Sequence, residues 1–294
     1  MKNGNKIFKI ILAIILCLGV FKGIKNTLLD STYQNTDNGK NQEENIIDGI
    51  KDDFNDLFSM ITGDSNNIDN PNHEQNNSIS NEDLYNFKGE PYIKINNNEP
   101  TFNKNEYNSN KSYIKLSELD ALGRTGTAKA CLSRETMPKN GEERESIGMV
   151  KPSGWKTQRF DDVISSKYLY NRSHQIGWQL SGLNADKRNL MTGTRYFNAT
   201  TMLPFENMVA DYIKETGNHV LYEAKPVYKD NELVARGLQL QAASIEDDSI
   251  RFNVYLYNIQ PKITINYKTG EARKAKKDEA TFNMESNPQE PNFN

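Results

Sequence analysis

Cysteine, histidine and tryptophan are scarce in this 294-residue chain, at two, three and two residues. Cys17 lies in an apolar N-terminal stretch and Cys131 stands alone in the remainder. No intrachain disulfide can form without Cys17, so stability must come from packing or a metal. Long apolar runs are also missing, apart from Ile10 to Phe21. With 26% charged residues and a mean hydropathy of −0.78, the composition excludes a polytopic membrane protein.

That one run has the shape of an export signal. Lysines at 2, 6 and 9 precede it and Lys22 follows. Twelve helical residues span only about 18 Å, short for a bilayer and suited to the apolar region of a signal peptide. A small-x-small cleavage site is lacking, since Gly19, Phe21 and Gly23 match it poorly, and Ile-Ile-Leu before Cys17 is not a lipoprotein signature. Extended through Ile24 by lysine snorkelling, the run could remain as an anchor. The basic flank places the N-terminus inside and the rest outside. The expectation is a secreted or membrane-anchored protein whose folded part is extracellular, with residues 1–24 as signal or anchor.

Charge divides the rest. Residues 25–83 carry three lysines against thirteen acids and are rich in Asn, reading as an acidic, largely disordered linker. Within it, 43–59 has Ile46, Ile47, Ile50, Phe54, Leu57 and Phe58 at helical spacing. His73 lies in the polar stretch 62–83 and needs no role. Residues 84–270 carry 25 basic against 21 acidic side chains, a mildly basic domain that suits an anionic partner without demanding one. The polar tail 271–294 reads as disordered.

Inside the domain, PYIKINNNEPTF suggests a hairpin or strand-turn. SYIKLSELDALGRTGTAKACL reads as a short helical or loop piece, a turn and a strand, and 137–157 as a charged loop. HVLYEAKPVY, LVARGLQLQAASI and RFNVYLYNIQPKITINY alternate apolar and polar residues as three antiparallel strands. PFENMVADYIKETG predicts a helix, with Pro204 in its first turn, Phe205, Val209, Tyr212 and Ile213 on one face, and Gly217 as its stop. The fold class is α+β.

Chemistry concentrates between 168 and 206: His174, Asn189, Asn198 and Glu206, with Arg172, Arg188 and Arg195. Residues 151–198 hold eight basic and three acidic side chains, the most basic part of the domain. These types suit phosphodiester hydrolysis. Neutral imidazole takes a proton from water near pH 7. An asparagine amide binds a hard cation without neutralising it, and arginines clamp phosphate oxygens. The bland readings are a satisfied core histidine, a turn-capping Asn198 and a Glu206 stabilised by a helix N-terminus. His219, at a strand start, reads as structural, Cys131 as a plain buried residue, and Trp178, Tyr168, Tyr170 and Tyr196 mostly as core.

The run from YLYNRSHQIGWQL through NLMTGTRYFN to PFENMVADYIKETGNHVLY resembles the DNA/RNA non-specific endonucleases of the ββα-metal (His-Me finger) class. It is similar in particular to the Gram-positive branch of secreted DNases and DNA-entry nucleases. The family signature Asp-Arg-Gly-His stands here as Asn171-Arg172-Ser173-His174. The resemblance implies a central antiparallel sheet flanked by helices and loops. It implies His174 as general base on a strand or its exit, and Asn198 as the metal ligand on the facing helix. Glu206 would contact metal-bound water, Arg172 and Arg195 would contact phosphate, and Asn189 would support the site or touch substrate. It further implies Mg²⁺, with Mn²⁺ as substitute, and a DNA substrate with RNA as a second candidate. Membrane contact would come only through an uncleaved N-terminus, and no obligate protein partner is implied. The alternative is a catalytically weak surface protein that captures nucleic acid.

Overall fold

The computed structural model describes residues 84–87, 89–108 and 111–276. The expected signal or anchor, the acidic linker with its helix at 43–59, and residues 277–294 of the tail lie outside them.

In chain order the elements are β1 (Tyr92–Lys94), α1 (Lys104–Tyr107), β2 (Tyr113–Leu116), β3 (Ala128–Leu132) and β4 (Tyr170–His174). Next come the single turn α2 (Trp178–Ser181), β5 (Leu190–Thr194), a π-helical turn Phe197–Met202 and α3 (Leu203–Thr216). They end with β6 (Val220–Val227), β7 (Gly237–Ser244), β8 (Arg251–Tyr257), β9 (Ile263–Ile265) and β10 (Ala272–Lys274). Six strands form one sheet in the order β1-β8-β7-β6-β3-β2, antiparallel at every step.

Strand register sorts the sheet into two buried faces, because side chains alternate along each strand. Ala130, Tyr222, Ala242 and Phe252 are cross-strand partners on one face. There α3 packs, its Phe205 ring 5.0 Å from Phe252 and 5.6 Å from Tyr92. Cys131, Leu221 and Ala243 line the other face, covered by Phe102 and Tyr107. Burial there pushes the Cys131 thiol up to about 11, with the charge of Glu246 adding to it. Since helix and loop cover opposite sides, the central strands are apolar almost throughout, and β8 buries every residue after Arg251.

β4 and β5 form a separate antiparallel pair, with His174 opposite Leu190 and Tyr170 opposite Thr194. After β5 the π-helical turn packs back on that pair through Phe197. Gly193 permits this approach: a Cβ there would sit 2.1 Å from Ser173 Oγ and 2.8 Å from the Phe197 ring. Asn258, just past β8, fastens β5 to the sheet. Its amide donates to the carbonyls of Thr192 and Ala235, each at 3.0 Å, and its oxygen accepts from the Thr194 amide at 2.9 Å. The hairpin is thereby set at a fixed place beside the sheet.

Helix α3 follows expectation. Pro204 is in its first turn, and Gly217 ends it in the left-handed region at φ 75°. Of the two readings of PYIKINNNEPTF the strand-turn holds: β1 runs into a turn at Asn96, Asn97 and Asn98, all at positive φ, and pairs with β8. Elsewhere the structure corrects the sequence reading. The piece read as helical or loop is strand β2, hairpinned to β3 through a turn in which the Gly123 amide donates to Asp120 O. The last predicted strand is two, β8 and β9. The tail boundary at 271 is also too early, since Ala272–Lys274 pairs with β9 as an edge strand. Gly270 makes that hairpin possible at φ 79°, in a spot where a Cβ would fall 1.8 Å from the Gly154 carbonyl oxygen.

Candidate active site

The succession β4, β5, π-helical turn and α3 is a ββα unit, and it carries the residues singled out in the sequence. His174 is the last residue of β4 and is buried. Its Nε2 lies 2.9 Å from the carbonyl oxygen of Asn184. A carbonyl only accepts, so the ring proton sits on Nε2 and Nδ1 keeps a lone pair. Arg144 brings Nη2 to 3.5 Å from that Nδ1. Burial holds the imidazole pKa below its ordinary value, and the Arg144 charge lowers it further; the Asn184 and Leu183 backbone partly offsets this. His174 is therefore neutral at pH 7.

Glu206, in the first turn of α3, points inward rather than to solvent. Burial raises its pKa to about 8, against the opposing pull of Arg144 and of a hydrogen bond from the Gly177 backbone. Its Oε1 has no hydrogen-bond partner. The approach to Gly177 is close: a Cβ there would lie 2.7 Å from Oε1 and 2.9 Å from the carboxyl carbon. Gly177→Ala should therefore displace this carboxylate. The expected outcome is a folded protein, unchanged by circular dichroism, whose turnover on DNA falls by up to about 10²-fold, as ångström-scale misplacement of a site group can cause.

Asn198 sits on the π-helical turn beside Phe197, half-buried, and its carboxamide makes no hydrogen bond among the described residues. The π-helical turn bearing Asn198 and the helix bearing Glu206 thus meet the region of His174 at two points, Phe197 against Gly193 and Glu206 against Gly177. No hydrogen bond joins Asn198 to His174. Arg195 is half-buried at the exit of β5, its amide donating to Leu169 O at 2.7 Å.

Two of these residues are engaged by the protein's own main chain. Asn189, offered as a support or a substrate contact, is fully buried. Its oxygen accepts from the Ile176 amide and its amide donates to the Ile176 carbonyl, both at 3.0 Å, which fits the first of those roles, shaping the turn after β4. Arg172, read as a phosphate contact, stacks 4.1 Å over the Trp155 ring and donates to the carbonyls of Val150 and Gly148, the latter at 2.6 Å. Much of its guanidinium holds a loop. His219, read as structural, pairs with Glu246 at 2.7 Å far along the chain from this site.

Arg144 was missed. It lies in a Glu-Glu-Arg-Glu run that reads as a solvated loop, and only tertiary closure brings it to His174 and Glu206. Asn184 was missed too, because its contribution is a main-chain carbonyl.

Comparison with known proteins bears on this geometry. The sequence profile described as DNA/RNA non-specific endonuclease matches residues 103–245. Among solved structures, NucA from Streptococcus agalactiae with magnesium ion bound is 25% identical, with a TM-score of 0.55, over 62% of this chain and 87% of that one. NucA from the same organism with no metal bound is also 25% identical, with a TM-score of 0.53, over 62% of this chain and 86% of that one. No curated protein matches the sequence at a significant level.

Proposed function

The chain belongs, through residues 103–245, to the DNA/RNA non-specific endonuclease family, and from that premise we propose an exported, Mg²⁺-dependent endonuclease that cleaves DNA, with RNA as a second candidate substrate, and with little sequence preference. The observation that carries the mechanism is the His174 ring, whose Nε2–H faces Asn184 O and whose Nδ1 lone pair points to Arg144, accepting a long hydrogen bond from it at 3.5 Å. In this reading Nδ1 removes a proton from a water as its oxygen attacks phosphorus, and the bond from phosphorus to the 3′ oxygen breaks, leaving a 5′-phosphate. Arg144, permanently cationic, faces the charge that gathers on the phosphate oxygens, with Arg195 as a further phosphate contact. Arg172 acts mainly by fixing the loop on which Gly148 and Val150 lie.

The residues present fit a divalent cation. Asn198 offers an unbonded carboxamide, and Glu206 an unpartnered carboxyl oxygen able to hold cation-bound water. Among the described residues no group of three or more His, Cys, Asp or Glu could hold a metal. An ion here would keep most of its water, which suits Mg²⁺, with Mn²⁺ as substitute. When bound, the ion supplies positive charge that stabilises the phosphorane and the departing oxygen.

Export is supported by the lysine-flanked apolar run at the N-terminus, with residues 25–83 as a spacer before a domain outside the cell. Among the described residues no helix is long and apolar enough to cross a membrane. Fractionation followed by N-terminal sequencing separates a released protein from an anchored one.

The test of the whole reading is digestion of plasmid DNA and of RNA with Mg²⁺, with Mn²⁺ and with excess EDTA. Cleavage with either metal and none with EDTA is expected. Retention of DNA in a mobility shift without any cutting in Mg²⁺ would overturn the enzyme and leave the nucleic-acid-capture alternative.

A further inference from the structure

Met149 is 70% exposed, the most exposed large apolar side chain among those described. A lone exposed methionine on a mobile loop would need no explanation. This one is on a turn held from three directions. The Val150 amide donates to the Ile147 carbonyl at 3.1 Å, closing a four-residue turn with Gly148 and Met149 at its two central positions. Arg172 then donates to the carbonyls on either side of Met149, those of Gly148 and Val150, and is itself stacked on Trp155. The backbone around an apolar tip is thus fixed by the arginine of the signature motif.

Placement adds to this. Arg172 and His174 are two apart on β4 and so share one face of the strand. At one end of the segment 144–150, the Arg144 side chain reaches His174; at the other, two carbonyls rest on Arg172. The segment therefore runs along that face beside the base, with Met149 on its outer side. We propose that Met149 is a substrate-positioning residue, packing on the base of a nucleotide next to the scissile phosphate. A flexible thioether suits a surface that must accept every base, since it adapts its shape and makes no hydrogen bond that would choose among them.

This inference rests on the nuclease reading, and the experiment separates the two. Wild type, Met149→Ala and Met149→Asp are compared in Mg²⁺ on a single-stranded oligonucleotide, and on the same oligonucleotide with a central run of abasic residues. If wild type cleaves neither, the nuclease reading fails. If wild type cleaves, Met149→Ala should raise KM by about tenfold, the scale of a methionine leaving apolar contact, with kcat within twofold. Met149→Asp should raise it further, and melting temperatures should not move. Within the abasic run, wild type and Met149→Ala should cleave alike, because the surface Met149 touches is gone. An unchanged KM for Met149→Ala on the normal strand, or an equal loss on both substrates, overturns the proposal.

Discussion

His174→Ala is expected to lower kcat on DNA by about 10²–10⁴, the usual contribution of a positioned general base, while leaving the affinity for DNA within a few-fold of wild type. Neither group bonded to the ring can take over: Arg144 has no lone pair to offer, and Asn184 supplies only a carbonyl that already accepts from Nε2. The cationic groups that attract phosphate survive the substitution, so binding and turnover separate. A His174→Ala protein cutting at the wild-type rate would end the assignment. The pH profile gives an independent reading. Burial and the Arg144 charge keep the imidazole pKa below its ordinary 6.5. The reactive form is neutral, so kcat/KM should be level above the folded pKa and fall tenfold per pH unit below it, with the acid limb below pH 6.5. Removing the guanidinium in Arg144→Ala should move that limb upward.

Glu206→Gln should produce the second large effect, in stability as well as activity. In the metal-free protein burial raises this carboxyl from 4.5 to about 8. The folded state resists ionisation that the unfolded chain undergoes near 4.5, so stability is highest below that pH and declines as pH rises toward about 8. Full development of that penalty is on the order of 5 kcal/mol. Urea titrations in EDTA between pH 4.5 and 8 should show the midpoint sliding down for wild type and staying nearly level for Glu206→Gln, which cannot ionise. A parallel decline in both proteins would place the penalty elsewhere. Turnover of Glu206→Gln should fall with Mg²⁺ present, since an amide holds cation-bound water less strongly than a carboxylate.

These two residues also show how far the sequence can be read. The place of His174 at the end of a strand was legible because Asn-Arg-Ser-His is a local pattern, and β4 is a local element. The inward turn of Glu206 was legible in principle. It lies one position after Phe205 and three before Val209, within the arc that α3 buries, yet a glutamate in a first turn already has an adequate reason to be there. Arg144 was beyond reach, because its meeting with His174 depends on how a 30-residue excursion closes. Residue type did not reveal what holds Arg172 and Asn189: type suggested a phosphate contact for Arg172, whereas nearby carbonyls take its donors, and of the two roles open to Asn189 the bonds to the Ile176 main chain fit support. Strands β6, β7 and β8 were plain from alternation. β2 and β10 were not, being edge strands of four and three residues, too short for alternation to show, whose order comes from their partners, β3 and β9. The π-helical turn at Phe197–Met202 has no sequence signal of its own, and it decides where Asn198 sits.

Cys131 has a use that follows from where it lies. Its sulfur is held protonated and out of reach between Phe102 and Leu221, so alkylating reagents and changes of redox state should pass it by. A cysteine introduced at position 149 would then be the single labelling point of residues 84–276, and a fluorophore placed there would report on nucleic acid arriving at the enzyme as it happens.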